Sequence, residues 1–494
     1  MLMILNGCYK PATRYEPWQV PSVQPIGEIK PTSTKLFLVD VTSTPIIPMT
    51  SPTPDAPRTL PTLRSESLEY TVQSNDTVAK IALAHQVSVA QILAANTIED
   101  PNIIHAGQVF TIPPASANEQ ATGFKIIPDS ELVYGPNSAD FDIEGVINKA
   151  GGYLSQYKFV MDEGEFSGAE IVTRVANEYS VNPRLLLALL EYRSEWLTNP
   201  SPDVKTLDYP MGFADSSRKG LYLQLAWTAN ALNRGFYLWE INALAVWTLA
   251  DGTVMRIDPT INAGTAGVQY LMSLLFGRSD WGIAVEDSGF IAAYQSLFGY
   301  PFNYAFEPLI PADLEQPVMA LPFADGDVWS YTSGPHGGWN DGSAWAALDF
   351  APPGEAMGCF PSSVYVTASA DGEIVRSGLG AVVQDIDGDG IEQTGWSILY
   401  MHIASEGRAG VGEYLGTGDP VGYASCEGGF SSGTHMHIAR RYNGVWISAD
   451  GTLPFIMDGW VASSTGIEYD GYLSKNGQTI EAWDGRTDFN QIGR

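Results

Sequence analysis

The chain has 494 residues, of which 45% are hydrophobic, and it carries a formal net charge of −30. Because this length exceeds what a single hydrophobic core can cover, we expect about three folded domains. The negative charge argues against a nucleic-acid partner, whose phosphates select basic surfaces, and against binding to an anionic membrane or wall polymer by charge. No apolar run reaches the length of about 18 residues that a membrane-spanning helix requires, so no such helix is predicted.

The chain starts with MLMILNG followed by Cys8, a short apolar stretch in front of a cysteine. Residues 1–8 resemble the end of a truncated bacterial lipoprotein signal, in which small residues precede a cysteine that becomes lipidated. The apolar region is shorter than such a signal needs, so lipidation of Cys8 and an unremarkable start both stay open. Residues 9–66 are rich in Pro, Ser and Thr, and this composition predicts an extended linker.

Residues 69–113 predict a compact βααβ unit. YTVQ and QVFTIP are its short strands, and Asp76 and Ser88 are the expected N-caps of its two helices. Over its whole length the unit resembles the LysM module, which binds glycans that contain N-acetylglucosamine. The resemblance implies a sugar groove formed by Asn75, Asp76, Thr77, Ile104 and Gly107. The alternative is a unit of the same fold that has lost sugar binding.

Residues 130–312 predict an all-α domain, because stretches such as ALLEYRSEW and KGLYLQLAWTANALNRGFY follow helical periodicity. The region resembles the fold of soluble lytic transglycosylases and goose-type lysozymes, in which a motif ALLxxES carries the acidic glutamate. Here Arg193 stands at the position of that glutamate. Arginine cannot release a proton at working pH, and Glu191 and Glu195 are out of register by two residues. We therefore expect a non-catalytic domain or spacer, with a displaced active glutamate as the alternative.

Residues 318–470 predict a mainly antiparallel β domain, and residues 471–494 a tail of strand and turn. This domain holds four of the chain's six histidines, namely His336, His402, His435 and His437. His435 and His437 stand two residues apart in THMHI, so on a strand they project from one face. His336 is separated from Asp349 by a loop of Gly, Asn and Asp. Two imidazoles and one carboxylate leave a coordination position for water, as in a catalytic zinc site. The alternative is that these histidines are core residues and Asp349 is a turn cap.

The segments PH, ALDFA, YMHI and GTHMHI resemble those of the lysostaphin-type zinc metallopeptidases, in particular their staphylolysin (LasA) branch. The resemblance implies that His336, Asp349 and His437 are zinc ligands. It also implies that His402 and His435 are catalytic histidines that do not bind the metal. Which of them is the general base stays open. Tyr400, two residues before His402, is either a supporting residue or part of the packing. Members of this family cleave peptide cross-links of peptidoglycan.

The stretch DIDGDGIE contains Asp385, Asp387 and Asp389 and resembles the start of an EF-hand calcium loop. Trp396 stands where such a loop needs a bidentate glutamate, so an acidic hairpin tip is the alternative. Cys359 and Cys426 are expected to form a disulfide if the chain is exported, and two buried thiols otherwise.

These features together predict a multidomain, exported cell-wall hydrolase in the cell envelope or outside the cell. Its expected partner is peptidoglycan and its expected cofactor is Zn2+, with Ca2+ as a further candidate. A lipid anchor would be its only contact with a membrane. The LysM unit would raise the local substrate concentration for the peptidase. Two other functions stay open: a non-catalytic wall-binding scaffold that activates other hydrolases, and glycan-strand cleavage by the helical domain.

Overall fold

The computed structural model describes residues 52, 54–73, 76–98, 100–115, 117, 119–161, 163–354 and 358–494. Cys8, most of the predicted linker and Asn75 lie outside these residues, so what we expect of them stays a prediction. Within the described ranges no single helix has the length and hydropathy of a membrane-crossing segment. One pair of short helices, bent by 103°, passes the length and composition test only when the two are taken together.

The βααβ unit has the predicted order of elements: β1 (Leu68–Thr71), α1 (Val78–Ala84), α2 (Val89–Ala95) and β2 (Val109–Ile112). Strands β1 and β2 pair antiparallel. The two helices and the sheet enclose a small core that includes Val72, Ile81, Ile92 and Phe110. The alternation of buried and exposed residues along β2 is what orients Phe110 into this core.

The helix caps of this unit differ in part from the prediction. Thr77, not Asp76, is the N-cap of α1, since its side chain accepts a hydrogen bond from the backbone N–H of Lys80. Asp76 instead accepts from the backbone N–H of Gln73 and closes the turn before the helix. Ser88 caps α2 through a capping box, as predicted.

The described end of the predicted linker contacts the folded domains. Asp55 forms an ion pair of 2.8 Å with Lys125. The Arg58 guanidinium lies 5.0 Å from the ring centroid of Trp239 and donates to its backbone carbonyl. Arg64 donates to backbone carbonyls at the end of β2. This part of the linker therefore lies along the helical domain and the βααβ unit instead of spanning free solvent, because its charged residues find partners there.

The helical domain comprises β3 (Glu119–Gln120), α3 (Ile143–Ala150), β4 (Lys158–Met161), β5 (Gly164–Ser167), α4 (Gly168–Tyr179), α5 (Pro183–Ser194), α6 (Leu221–Glu240), β6 (Val246–Thr248), β7 (Val254–Arg256), α7 (Ala263–Leu275), α8 (Arg278–Ala284) and α9 (Phe290–Phe298). The all-α prediction is wrong in one respect, since β3, β7 and β6 form a small sheet and β4 and β5 a hairpin. Strands this short carry no readable alternation of apolar and polar residues.

The long helices of this domain occupy the stretches in which periodicity predicts them. Ser167 caps α4 in a capping box, and Asn182 caps α5, whose first residue is Pro183. Helices α6 and α7 pack closely at two glycines, where a Cβ on Gly235 would lie 2.8 Å from the Cα of Gly267. The close packing sets the position of α6, which faces the C-terminal domain.

The C-terminal domain is mainly antiparallel β, as predicted. It comprises β8 (Val328–His336), β9 (Ala347–Ala351), β10 (Tyr365–Thr367), β11 (Gly372–Gly378), β12 (Ala381–Asp385), β13 (Trp396–Met401), β14 (Tyr414–Leu415), β15 (Pro420–Tyr423), β16 (Met436–Tyr442), β17 (Val445–Trp446), β18 (Ile456–Met457), β19 (Trp460–Ser464), β20 (Gly471–Lys475), β21 (Gln478–Glu481) and β22 (Gln491–Gly493). The main sheet has the strand order β14-β11-β12-β13-β16-β9-β8-β22.

The two faces of the main sheet have different neighbours. His437 on β16 stands directly opposite Asp349 on β9, so both project from one face. Ala439 continues that face and belongs to the core shared with the helical domain. The opposite face, with Tyr400 and Ile438, packs on a core that belongs to the C-terminal domain itself. The candidate site therefore lies on the face that the helical domain partly covers.

The predicted tail after residue 470 is part of this domain. Strands β20 and β21 continue a small sheet that begins with β18 and β19. Strand β22 pairs antiparallel with β8 at the edge of the main sheet. The strand pairing covers this edge and brings the end of the described chain back to the start of the domain.

Direct hydrogen bonds join the helical domain to the main sheet. The Ser180 hydroxyl donates to the backbone carbonyl of Gly444 at 2.6 Å. The Tyr237 hydroxyl accepts from the backbone N–H of Trp446 at 2.9 Å. These bonds lie beside the shared apolar core, and the described part of the chain forms one compact unit.

Candidate metal centre

Three side chains on adjacent strands converge at the end of the main sheet. His336 ends β8, Asp349 lies in β9 and His437 lies in β16, and all three are buried. His336 Nε2 lies 3.1 Å from His437 Nδ1. Asp349 Oδ1 lies 3.3 Å from His336 Nε2 and 3.2 Å from His437 Nδ1. The strand register brings Asp349 and His437 into direct opposition.

Backbone carbonyls determine which ring nitrogens carry hydrogen. His336 Nδ1 lies 2.8 Å from the carbonyl of Gly334, and His437 Nε2 lies 3.1 Å from the carbonyl of Gly338. A carbonyl only accepts, so each of these nitrogens donates, and in the neutral form of each ring the other nitrogen keeps a lone pair. The two lone pairs face each other and the Asp349 carboxylate.

This arrangement fits a cation. Asp349 Oδ1 is buried and has no hydrogen-bond donor, and the facing lone pairs of His336 and His437 would repel each other without a positive charge between them. At a zinc–nitrogen distance of about 2.0 Å, tetrahedral ligands stand about 3.3 Å apart, close to the observed separations. Burial acts to raise the pKa of Asp349, but the positive charges that His336 and His435 carry when protonated outweigh burial and hold this pKa well below its usual range. The carboxylate is therefore ionised and available as a ligand.

Two further histidines stand beside this cluster. His402 Nδ1 lies 2.9 Å from the carbonyl of Glu427, and His435 Nδ1 lies 2.8 Å from that of Gly433. Both rings thus keep Nε2 as the acceptor, and their centroids are 4.3 Å apart. His435 Nε2 lies 3.7 Å from Asp349 Oδ2. Burial, together with His435 and other histidine neighbours, lowers the pKa of His402 to about 3.

Tyr400 does not belong to this cluster. Its hydroxyl accepts from the backbone N–H of Ser369 at 2.7 Å and donates to Gln384 at 2.9 Å, within the core on the opposite face of the sheet. Tyr400 and His402 stand two residues apart but do not share a face of the strand, because β13 ends before His402, whose φ of +62° interrupts the alternation. Tyr400 therefore packs in the core.

A disulfide joins Cys359 to Cys426, and their Cα atoms are 5.8 Å apart. Cys426 precedes Glu427, whose carbonyl orients His402. Phe360, next to Cys359, exchanges hydrogen bonds with Thr434, next to His435. The disulfide thus links the two loops that hold both histidines. The carbonyls that orient the histidines have no sequence signal, since every residue has one.

The predicted sugar groove of the βααβ unit lies at two turns beside the end of β1. Thr77 is a helix cap, and Asp76 accepts from the backbone N–H of Gln73 and from the Tyr70 hydroxyl of β1. Gly107 has a φ of +88° and donates to the backbone carbonyl of Val72, which brings the second turn next to the first. Ile104 is half-buried. A sugar groove at these residues and sugar binding itself stay predictions.

The structure does not support an acid role for the glutamates near Arg193. Glu191 accepts from the backbone N–H groups of Leu197 and Thr198, and Glu195 ends α5 with a φ of +58°. Arg193 donates to the carbonyl of Met211 and lies over an aromatic ring. Glu191 therefore satisfies backbone donors after α5, and Arg193 packs within the domain.

Asp385 ends β12, and Asp387 and Asp389 follow it at the tip; the ligand atoms of the three lie within 4.8 Å of one another. Asp385 accepts from the backbone N–H groups of Asp387 and Gly390, and Trp396 begins the next strand. The carboxylates thus close the turn by themselves, and calcium binding stays a prediction.

Comparisons with known proteins agree with this architecture. The LysM domain model matches residues 70–113, and the model for the N-terminal domain of LasA matches residues 125–312. Protease LasA of Pseudomonas aeruginosa is 26% identical over 350 residues, which cover 65% of this chain and 75% of that protein.

Two further proteins match about a third of the chain. The beta-lytic metalloendopeptidase of Achromobacter lyticus is 28% identical over 173 residues, or 33% of this chain and 43% of that protein. The solved structure of pseudoalterin, an M23 metalloprotease from the deep sea, is 25% identical and covers 34% of this chain and 96% of its own, with a TM-score of 0.29. These sequence matches, together with the assembled cluster, support a LysM-containing metalloendopeptidase that is similar to LasA.

Proposed function

We propose that the chain is an exported zinc endopeptidase that cleaves the peptide cross-links of peptidoglycan while its LysM domain holds the glycan. The observation that carries the proposal is the convergence of two imidazole nitrogens and one carboxylate oxygen within 3.1–3.3 Å. His336, Asp349 and His437 would hold the metal. Bound zinc supplies a Lewis acid that polarises the scissile carbonyl and lowers the pKa of water.

His402 and His435 are proposed to move the protons of the reaction. Each ring donates from Nδ1 to a carbonyl, so each presents an unprotonated Nε2. One Nε2 accepts the proton of the attacking water and returns it to the leaving amine, and the other ring, once protonated at Nε2, would donate to the substrate carbonyl oxygen. The carbonyls of Glu427 and Gly433 hold Nδ1 of each ring, so that Nε2 is the atom left for this proton transfer.

The proposed substrate is peptidoglycan because two independent parts of the chain favour it. The LysM match favours a glycan-binding module, and the relatives include protease LasA and a beta-lytic metalloendopeptidase. A chain with net charge −30 needs a module that binds by shape and hydrogen bonds rather than by charge. The disulfide between Cys359 and Cys426 agrees with export, since such bonds persist in oxidising compartments.

The test is digestion of purified peptidoglycan by the wild-type chain and by His437→Ala, with mass spectrometry of the released products. We expect new peptide ends with the wild type alone. Reducing or anhydro-sugar ends with both proteins would place the activity in the helical domain. If neither protein releases products although the wild type binds zinc, the proposal fails and a wall-binding scaffold is favoured.

A further inference from the structure

Side chains of helix α6 in the helical domain bind the loop that runs from His336 to β9. We call residues 337–345 the ligand loop. Arg234 forms an ion pair of 2.7 Å with Asp341 and also donates to its backbone carbonyl at 3.0 Å. Asn230 donates to the Asp341 carboxylate at 2.8 Å and accepts from the backbone N–H of Gly342 at 2.9 Å. One turn of α6 therefore binds both the side chain and the backbone of the loop.

The contact between α6 and the ligand loop is close enough to exclude a side chain. A Cβ on Gly342 would lie 2.1 Å from the backbone carbonyl oxygen of Asn230. Burial opposes the charge of Asp341, but Arg234 and Asn230 outweigh burial and lower its pKa. The loop is thus seated on α6 by shape as well as by an ion pair.

The seated loop extends directly to a proposed metal ligand. Its Gly338 carbonyl accepts from His437 Nε2 at 3.1 Å, and the Gly338 N–H donates to the carbonyl of Ala344 at 3.0 Å. A Cβ on Gly338 would lie 2.5 Å from the ring of Trp446, whose backbone N–H is held by Tyr237 of α6. The carbonyl that orients His437 is therefore fixed between two elements, both of which rest on the helical domain.

We propose that Arg234 and Asn230 are positioning residues for the metal centre. They hold the ligand loop so that the Gly338 carbonyl keeps the His437 ring in the tautomer and orientation that bind the metal. In the full chain the helical domain then supports the ligand loop, beyond the role of spacer expected from its sequence. The inference rests on the proposed function, in which the bound ion is zinc.

Some groups hydrogen-bond to a metal ligand without contacting the metal themselves. Removing such a group weakens metal binding by about 10- to 100-fold. Arg234 acts one contact further away than Gly338, so we expect an effect at or below the lower end, about 3- to 10-fold. Excess zinc should then restore much of the lost activity, because the ligands themselves are intact.

The experiment measures zinc binding to the full chain by competition with a chromophoric chelator. Arg234→Gln should raise the dissociation constant for zinc about 3- to 10-fold, and Arg234→Lys should lie between it and the wild type. Asp208→Asn is the matched control, since it removes an exposed ion pair of 2.8 Å with Lys219 in the same domain. The control should bind zinc as the wild type does.

Unfolding of the metal-free proteins separates positioning from general stability. If Arg234→Gln lowers the unfolding temperature but leaves zinc affinity and kcat/KM unchanged, the inference is overturned. Should Arg234→Gln fail to fold, Gly342→Ala provides a second route, because its Cβ displaces the loop from Asn230 with all charges kept. It should weaken zinc binding as well, and unchanged affinity would also overturn the inference. If the wild-type chain neither binds zinc nor cleaves peptides, the proposed function itself is wrong.

Discussion

His336 Nε2 and His437 Nδ1 lie 3.1 Å apart although the other nitrogen of each ring already donates to a carbonyl. Two such lone pairs side by side are unfavourable unless a cation separates them. A residue pair that costs free energy in the metal-free protein and stabilises the metal-bound one couples metal binding to folding.

The coupling predicts how zinc changes stability. Zinc at 100 times its dissociation constant should stabilise the wild type by about 2.7 kcal/mol. His437→Gln should lose this stabilisation, while its metal-free form stays within about 1 kcal/mol of the wild type because the repulsion with His336 is also removed. Thermal unfolding with zinc and after EDTA treatment measures both effects. His85→Gln, outside the cluster, is the control, and equal stabilisation of His437→Gln by zinc would contradict the prediction.

The position of the disulfide predicts that its removal impairs catalysis and leaves metal binding unchanged. Cys359 and Cys426 are 67 residues apart, and cross-linking a loop of this length stabilises a protein by about 4 kcal/mol in the chain-entropy model. Replacing both with serine should lower the free energy of unfolding and reduce kcat/KM, because the linked loops orient His402 and His435. Zinc content should stay at the wild-type level, since the proposed ligands lie on strands. Loss of zinc in this variant would show that the loops also support the ligands.

The acidic tip predicts a pH-dependent stability. Burial, followed by Asp385, raises the pKa of Asp387 from 3.8 to about 7. A carboxyl group with a raised folded-state pKa stabilises the fold while it is protonated, and this stability is lost as the pH rises from 3.8 to about 7. Asp387→Asn should therefore gain stability over the wild type across this window and keep the gain above it.

Asp371→Asn serves as the control for this measurement, because it should lower the stability at neutral pH where Asp387→Asn raises it. Backbone and side-chain hydrogen bonds from Thr417 lower the pKa of Asp371, so its contribution is present at neutral pH and lost on acidification. Denaturant titrations over the pH series measure both variants. A further gain of wild-type stability on adding Ca2+ above pH 7, absent in Asp387→Asn, would support calcium at the tip. If the free energy of unfolding of Asp387→Asn depends on pH in the same way as that of the wild type, the raised pKa of Asp387 is refuted.

The contacts of Glu191 predict that its substitution lowers the stability of the protein and leaves its reaction products unchanged. Its carboxylate accepts from the backbone N–H groups of Leu197 and Thr198 after α5. Glu191→Gln should cost about 1 kcal/mol of stability, as for a lost helix-end cap, and leave the products from peptidoglycan unchanged. Chemical unfolding and mass spectrometry of the products check the two parts. Disappearance of glycan-derived ends in Glu191→Gln would restore the helical domain as a catalytic unit.

The local patterns in the sequence determine the order and type of the main elements. Periodic apolar residues place α4 to α7, and Ser88 marks the start of α2, because helix formation depends on neighbours within one or two turns. His435 and His437 share a face since the strand period is two. The chemistry of His336 and Asp349 as ligands follows from their side chains. These features need no knowledge of distant contacts.

Only the tertiary structure decides what surrounds those side chains. The Gly338 carbonyl orients His437, and Arg234 forms an ion pair with Asp341. Each of these contacts joins residues that are about a hundred positions apart in the chain. Every residue has a carbonyl, so no pattern marks the one that a fold will use. Tyr400 points away from the site because the backbone turns at His402. Whether an imidazole is a ligand, a base or a core residue thus depends on partners that only folding brings together.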